Sequence, residues 1–323
     1  MKGLLALIIQ DFKRLLTNAL FWVITASLVV IILVINFALP QRVTQEQYRL
    51  VTNHATLTGE LATVADSEDE IRQAVEAGNT IGLMRKADGS ITVFHPQLSA
   101  KTVHALMVTI ANATPVHVQV ESIHEGGRIV PFNKRMTPIF ICFEALVIGF
   151  ILGGALMLSE KEEGTFRALR VSPMGVDRYI LSKTVLFSLI AVLYALLMAW
   201  FSVGFDFPAL GFILLSFFGA AIFSLLGLAF TTLFKDLSSW FFSMAFVLSI
   251  NMLPVMAYME PTFSPLWIRV IPSYTIIFAY ESILFGAEGI TVAATLTLAG
   301  WCIGAYALSR AAVGASLLAR GRR

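Results

Sequence analysis

The chain has 323 residues, of which 57% are hydrophobic and 14% are charged, and its mean hydropathy is +0.78. An ordinary soluble domain carries about 25% charged residues, so this composition excludes a water-soluble globular protein and favours lipid as the solvent. The net charge of +2 is too small to predict a nucleic-acid partner, and the positions of the basic residues matter more than their sum.

In chain order, the first feature is an amphipathic pattern over residues 1–17, with leucines and isoleucines at helical spacing and charges between them. It predicts a helix lying in the membrane interface, although the same pattern fits an inward extension of the first span. Crossing the hydrocarbon takes about 20 apolar residues, and six stretches meet that length. They are residues 18–39, 137–158, 184–204, 209–233, 239–258 and 290–310.

Between the first two spans, residues 40–136 are polar and alternate helix and strand signals, which predicts a small α/β domain outside the membrane. Ser67 and Glu70 form a capping-box pattern that opens a helix. The predicted elements are a helix from Ser67 to Ala77, strands Thr80–Arg85 and Ser90–His95, a helix Leu98–Asn112 and a strand Val116–Ile123.

Residues 262–286 are apolar but interrupted by Pro265, Arg269 and Pro272. Prolines break helices, so this segment is predicted to be a re-entrant or interfacial helix pair rather than a span. After the last span, residues 311–323 are predicted to form a basic tail.

Lysines and arginines are concentrated in the segments that precede the first span, separate the second from the third, separate the fourth from the fifth, and follow the last. The positive-inside rule therefore predicts that both termini are cytoplasmic. Residues 40–136 would then be extracytoplasmic, and residues 159–183 would form a cytoplasmic loop inside the 137–310 transmembrane domain.

Several chemistries have no motif in this sequence. There is no P-loop, no H-E-x-x-H and no G-x-S-x-G, and the five histidines all lie within 40–136 without tight ligand spacing. We therefore predict that the chain is not an enzyme and holds no metal or cofactor of its own.

The most informative segment is the loop after the second span, EKEEGTFRALRVSPMGVDRYILSK. Its pattern predicts a turn at Gly164, a short helix through Phe166 to Arg170 and a stop at Pro173. Apolar knobs on a short charged helix suit docking into a cleft on a partner. A solvated loop whose basic residues only set the topology fits the residues equally well.

This string resembles the cytoplasmic loop of ABC type-2 exporter permeases, in which E-K-E-x-G-T is followed by a short helix and S-P. The wider layout resembles the subgroup with a large extracytoplasmic domain between spans one and two. The resemblance implies a dimer of permease subunits, a homodimer or a heterodimer, that works with two ATPase subunits, with ATP and magnesium bound only on those partners. It also implies an ATPase-coupling role for Glu160, Lys161, Glu162, Glu163, Gly164, Thr165, Phe166, Arg167, Leu169, Arg170 and Pro173.

Three residues in the predicted spans are candidates for the transport path. Glu144 is a carboxylate within the second span, where charge is costly unless it faces protein or water. Asn251 could hydrogen-bond across helices, and Pro254 should kink the fifth span. A structural pair for Glu144, and simple packing for the other two, explain these residues equally well.

Together these patterns predict a permease of the inner membrane that exports a hydrophobic or amphiphilic substrate, such as a drug or a lipid, as in multidrug efflux. One alternative is a membrane-anchored sensor whose outer domain binds a ligand. An intramembrane hydrolase is disfavoured, because no histidine lies in any predicted span.

Overall fold

The computed structural model describes residues 2–40, 49–53, 62–65, 67–76, 80–86, 90–95, 118–122, 130–164, 175–259, 263, 265–286 and 290–319. The chain divides into two compact units, one built from Met1–Pro40 with Phe132–Arg323 and the other from Gln41–Pro131.

The first unit is helical. Among the described residues, six helices are long and apolar enough to cross a membrane, so the predicted class, a helical membrane protein with a small α/β domain, is confirmed. In chain order these spans are Ala19–Ala38, Phe132–Glu162, Val176–Ser202, Ala209–Thr231, Leu237–Met259 and Val292–Ser316.

A separate amino-terminal helix, Lys2–Leu16, precedes the first span. It is not an extension of that span, because Asn18 lies in extended backbone and its side chain caps the next helix by accepting from the amide of Leu20. One face of the amino-terminal helix points outward through an apolar stripe, whose members are Leu5, Ile9, Phe12 and Leu16. The opposite face is buried and contains Asp11, which the sequence pattern assigns to the polar, outward side.

The second span is longer than its predicted bounds of 137–158. It is built from helices Phe132–Arg135, Thr137–Leu146 and Gly153–Glu162, with a π-helical segment Val147–Leu152 in the middle. The charged residues at its end belong to the helix rather than to a loop, because Glu160 finds a cation inside the protein. Since the third span begins at Val176, the connection between these spans is shorter than the predicted 159–183.

The fifth span is interrupted, as Pro254 predicts. Helix Leu237–Asn251 ends, Met252 forms a turn, and helix Leu253–Met259 follows. Proline at 254 has no amide hydrogen to donate to the preceding turn, which accounts for the break.

Two further segments complete this unit. The broken apolar segment forms helices Leu266–Arg269 and Pro272–Phe285, which confirms a helix pair interrupted near Pro272. The last helix runs Val292–Ala319, so most of the predicted tail 311–323 continues the helix. Alanine and leucine dominate these extra turns, and both are strong helix formers.

Glycines bring the second, fourth and fifth spans into close contact. A methyl group at Gly149 would lie 2.8 Å from the carbonyl oxygen of Ala220, and one at Gly227 would lie 2.7 Å from the backbone of Phe150. Gly154 lies directly under the ring of Trp240, which is fully buried and stacks on Phe150. Larger residues at these positions would separate the helices.

The described residues of the second unit form a five-stranded sheet. Its strands are β1 Arg49–Thr52, β2 Ala62–Val64, β3 Thr80–Arg85, β4 Ile91–His95 and β5 Val118–Ser122. They lie in the order β2-β1-β3-β4-β5; β3 and β4 are antiparallel, and the other neighbours are parallel. Helix Glu68–Glu76 has a fully buried Ile71 that packs closely on Gly82 of β3, and the Ser67 hydroxyl accepts a hydrogen bond from the amide of Glu70, which caps this helix.

The strands predicted near 80–85, 90–95 and 116–123 are therefore confirmed, within a residue or two at their ends. The helix predicted over 98–112 lies outside the described residues.

Candidate functional site

Among the described residues of the helical unit, one group of charges is buried at one end of the bundle. The ammonium of Lys183, which is 1% exposed, lies 2.9 Å from Oδ1 of Asp11 and 2.5 Å from Oε1 of Glu160. We call Asp11, Arg14, Glu160 and Lys183 the ion cluster. It joins the amino-terminal helix, the last turn of the second span and the first turns of the third span.

The third span holds both oxygens of the Glu160 carboxylate. Tyr179 donates its hydroxyl hydrogen to Oε2 at 2.7 Å, and Lys183 donates to Oε1. These two residues are four apart in one helix, so they lie on the same face and can grip one carboxylate together.

Arg14 completes the cluster from its rim. Its guanidinium lies 3.5 Å from Oε1 of Glu160 and 3.6 Å from Oε2 of Glu163. Two carboxylates and two cations make up the ion cluster, so its formal charges balance. Burial raises the pKa of Asp11, and the nearby Lys183 opposes that rise. Removing one partner of such a buried group is costly because it leaves a charge without compensation.

The ion cluster lies where the connection 163–175 leaves and re-enters the bundle. Gly164 ends the second span with φ +77°, a backbone conformation that glycine adopts without strain. Lys161 points sideways and donates to the carbonyl oxygen of Thr231 at the end of the fourth span, at 2.9 Å. Both ends of the connection are thus fixed to the bundle through side chains.

The predicted coupling residues therefore divide into three groups. Glu160 is buried in the ion cluster, and its predicted role in ATPase coupling stays a prediction. Glu162 and Glu163 are exposed, and Gly164 makes the predicted turn. The remaining predicted residues, Thr165, Phe166, Arg167, Leu169, Arg170 and Pro173, lie outside the described residues.

A second contact ties the start of the third span to the last helix. Asp177 accepts from the Arg310 guanidinium at 2.8 Å and from the Tyr306 hydroxyl at 2.9 Å. This pair is exposed, and salt bridges of that kind contribute little free energy. The salt bridge instead fixes the position of the last helix relative to the residues that follow the connection 163–175.

The candidate path residues are all buried. Glu144 lies in the second span, and among the described residues its Oε1 has no hydrogen-bond partner. Asn251 donates to the Val247 carbonyl of its own helix at 2.9 Å instead of to another helix. Asn251 is the last residue of that helix, and its side-chain amide folds back on the last turn. Pro254 lies just beyond that break. Within the described part of the chain, Asn251 makes no hydrogen bond with Glu144.

The sequence analysis does not find Asp11 and Lys183 as functional residues. Lys183 looks like one more topology-setting cation, and Asp11 like one more polar residue on an amphipathic helix. The feature that could have identified Lys183 as a functional residue is its depth in the span, since it is the eighth residue of a helix that begins at Val176. A cation so deep in an apolar span requires a partner.

The six candidate spans among the described residues define a multi-pass integral membrane protein. A sequence model of the ABC-2 family transporter proteins matches residues 18–309. The chain belongs to this family and is a permease subunit, the membrane component of an ABC transporter. The family is not itself catalytic, and membership implies partnership with an ABC ATPase. No curated protein and no solved structure matches the chain.

Proposed function

We propose that this chain is an exporter permease that moves a hydrophobic or amphiphilic substrate, such as a drug or a lipid, out of the cytoplasm. ATP hydrolysis takes place on separate ATPase subunits that dock at residues 160–173. The chain works as one of two permease subunits in the inner membrane, with both termini in the cytoplasm.

One observation carries the proposal, namely that the ion cluster fixes both ends of the connection 163–175 to the bundle. A push on this connection reaches Glu160 and Lys183 directly, and through Asp11 it reaches the amino-terminal helix. Buried ion pairs with short contacts are stiff, so the ends of the second and third spans and the amino-terminal helix should move as one body. A rigid-body motion of this kind can carry a closing movement of ATPases into the spans.

The surface offered to an ATPase consists of the exposed carboxylates of Glu162 and Glu163 and the predicted helix that follows them. In that helix Phe166 and Leu169 are the apolar anchors implied by the family resemblance. Arg14 lies beside Glu163, so the docking surface extends onto the amino-terminal helix.

Two outward faces support the other proposed contacts. The fifth span exposes Phe242 and Phe246, which are 85% and 68% exposed, and such a face suits a second permease subunit. The apolar stripe of the amino-terminal helix suits the lipid interface.

The first experiment is to purify the tagged chain from its native membrane in mild detergent and to identify the proteins that accompany it. We expect a P-loop ATPase in the wild type and its loss in the double variant Phe166→Asp/Leu169→Asp. Lys235→Asp is the matched control, because it changes the net charge by the same amount in another exposed connection.

A separate variant distinguishes transmission from docking. Tyr179→Phe removes one hydrogen bond from Glu160 and leaves the docking surface intact, so the ATPase should still accompany the chain. We expect weaker stimulation of ATP hydrolysis in the reconstituted complex. Absence of any ATPase under several mild conditions would instead favour the ligand-sensing alternative.

A further inference from the structure

Glu144 differs from every other deeply buried carboxylate in the described part of the chain. Three such carboxylates occur, at Asp11, Glu144 and Glu160. Asp11 and Glu160 share the cation of Lys183. Glu144 is 3% exposed, and the described residues supply it with neither a hydrogen bond nor an ion pair.

The position of Glu144 makes this lack of a partner costly. It lies near the middle of the 31-residue span Phe132–Glu162, far from either end. An unpaired charge at the centre of a membrane span costs about 2.5–3.5 kcal/mol on insertion scales. The carboxyl group must therefore either hold a proton or face a cation from outside the described part of the chain.

A structural pair with a basic residue would remove this requirement, and Glu281 shows what such a pair looks like. Glu281 is half-buried, and the positive charge of Arg135 acts electrostatically on its carboxylate. Among the described residues no cation forms an ion pair with Glu144.

One described polar group on which the Glu144 carboxylate acts is a hydroxyl pair between the first and third spans. The hydroxyl oxygens of Thr25 and Tyr194 are 2.5 Å apart, and the Glu144 carboxylate acts electrostatically on Tyr194. Thr25 donates its hydrogen to the Phe21 carbonyl, so Tyr194 is the donor within the pair. The Tyr194 oxygen therefore remains able to accept, and its aromatic ring offers a face that attracts cations.

We infer that Glu144, a buried carboxylate in the second span, is the site at which this permease binds the cationic group of an amphiphilic substrate, in exchange for a proton. The inference rests on the proposed export function and narrows its substrate class to lipophilic cations. In the exchange the carboxyl O–H bond breaks, the proton passes to water, and the carboxylate holds the cation by electrostatic attraction. The formal charge of the occupied site is zero before and after.

The carboxyl group is closed off from solvent in this conformation, since Glu144 is almost completely buried. The neutral, protonated form suits the closed state because it carries no charge in an apolar interior. Separation of the spans admits water and substrate together, and the proton can then leave. The residues themselves thus favour a cation over an anion or a neutral substrate.

The test uses the purified full chain in detergent and the lipophilic cation tetraphenylphosphonium as the probe. We expect its affinity to rise by about tenfold per pH unit while the carboxyl is protonated, because a bound proton competes with it. Calorimetry in buffers of different ionisation enthalpy should show one proton released per probe bound. The uncharged analogue triphenylphosphine oxide should bind independently of pH.

Glu144→Gln keeps the shape of the side chain and removes its charge. We therefore expect this variant to bind the cation about tenfold more weakly than the wild type, or more weakly still, and without pH dependence. Binding of the uncharged analogue should be unchanged, which shows that the variant is folded. Glu144→Asp should recover part of the cation affinity, and Glu281→Gln, the matched control, should bind like the wild type.

Equal cation binding by the wild type and Glu144→Gln, or binding without proton release, would overturn the inference. Neither result touches the export proposal, which depends on the accompanying ATPase. Conversely, a missing ATPase leaves the binding result intact, because binding is measured on the permease alone.

Discussion

The ammonium of Lys183 lies 2.9 Å from the carboxylate of Asp11, which joins the third span to a helix that precedes the first span. Both side chains are almost completely buried. The amino-terminal helix is therefore fixed to the bundle by an ion pair as well as by apolar packing. The contribution of this ion pair to the free energy of unfolding can be measured.

Replacing Lys183 by Met should leave Asp11 and Glu160 buried with only the half-exposed Arg14 as a cation. We expect the free energy of unfolding to fall by about 3–5 kcal/mol, the usual cost of removing one partner from a buried pair. Thermal unfolding in detergent can be followed with a maleimide dye that reacts with the buried Cys142. Lys235→Met removes an exposed lysine and should leave the transition midpoint unchanged.

Neutralising the cluster as a whole should cost much less than removing Lys183 alone. In the triple variant Asp11→Asn/Glu160→Gln/Lys183→Met no buried charge is left unpaired, so much of the lost stability should return. The same thermal assay measures the recovery. A triple variant less stable than Lys183→Met would show that the attraction within the cluster, and not the penalty of an unpaired charge, dominates.

Gly154 and Gly300 offer a matched pair of glycine substitutions. A methyl group at Gly154 would meet the Trp240 ring and lie 2.6 Å from the Thr231 hydroxyl, whereas Gly300 has open space around it. We expect Gly154→Ala to destabilise by about 1–3 kcal/mol through overpacking. Gly300→Ala should be neutral or stabilising by up to about 1 kcal/mol, since alanine is the better helix former. Equal unfolding midpoints would contradict the close packing of the second and fifth spans.

Asp236 caps the fifth span, because its carboxylate accepts from the amide of Ser239 at 2.8 Å. That hydrogen bond lowers the pKa of Asp236. A lowered pKa in the folded state means a stabilisation that is complete above the unfolded-state pKa and lost as pH falls through the folded-state value. The difference in thermal stability between wild type and Asp236→Ala should therefore disappear in acid. Asp236→Ser keeps a cap that does not titrate and should show no such loss.

The proposed orientation places Asp206 and Lys235 on opposite sides of the membrane, since one span separates their connections. Both residues are exposed, so a cysteine at either position can be labelled. A membrane-impermeant maleimide should modify Asp206→Cys in intact cells and Lys235→Cys only after permeabilisation. The reverse pattern would invert the proposed topology.

The sequence predicts the six spans and the α/β unit because both depend on short-range patterns. Runs of apolar residues set the spans, and the turn chemistry around Ser67 and Gly164 sets local boundaries. The predicted ends of the second and third spans differ by several residues from the ends of the helices that form them. The prediction places each end at the nearest charged residues, because charges normally mark the end of a span. Here Glu160 and Lys183 neutralise each other inside the protein, and that long-range pairing leaves no local pattern.

Asp11 illustrates the same limit at the candidate site. Its position on the helix indicates a solvent-facing residue, and only the arrival of Lys183 from a distant segment makes burial favourable. Glu144 is different, because a carboxylate in an apolar stretch is visible in the sequence. The sequence leaves open whether this carboxylate has a hydrogen-bond or ion-pair partner. Among the described residues it has neither.

The π-helical segment Val147–Leu152 has a consequence for how this span can change in length. A π segment is the geometry that one extra residue leaves in an α-helix. A one-residue deletion there can be absorbed by closing the π turn to an α turn, so that Glu160 still faces Tyr179 and Lys183. The same deletion in a regular α-helix would rotate everything beyond it by about 100°, the rotation of a single α-helical residue. The π segment is consequently a place where this span can lose a residue and keep the pairing at its end.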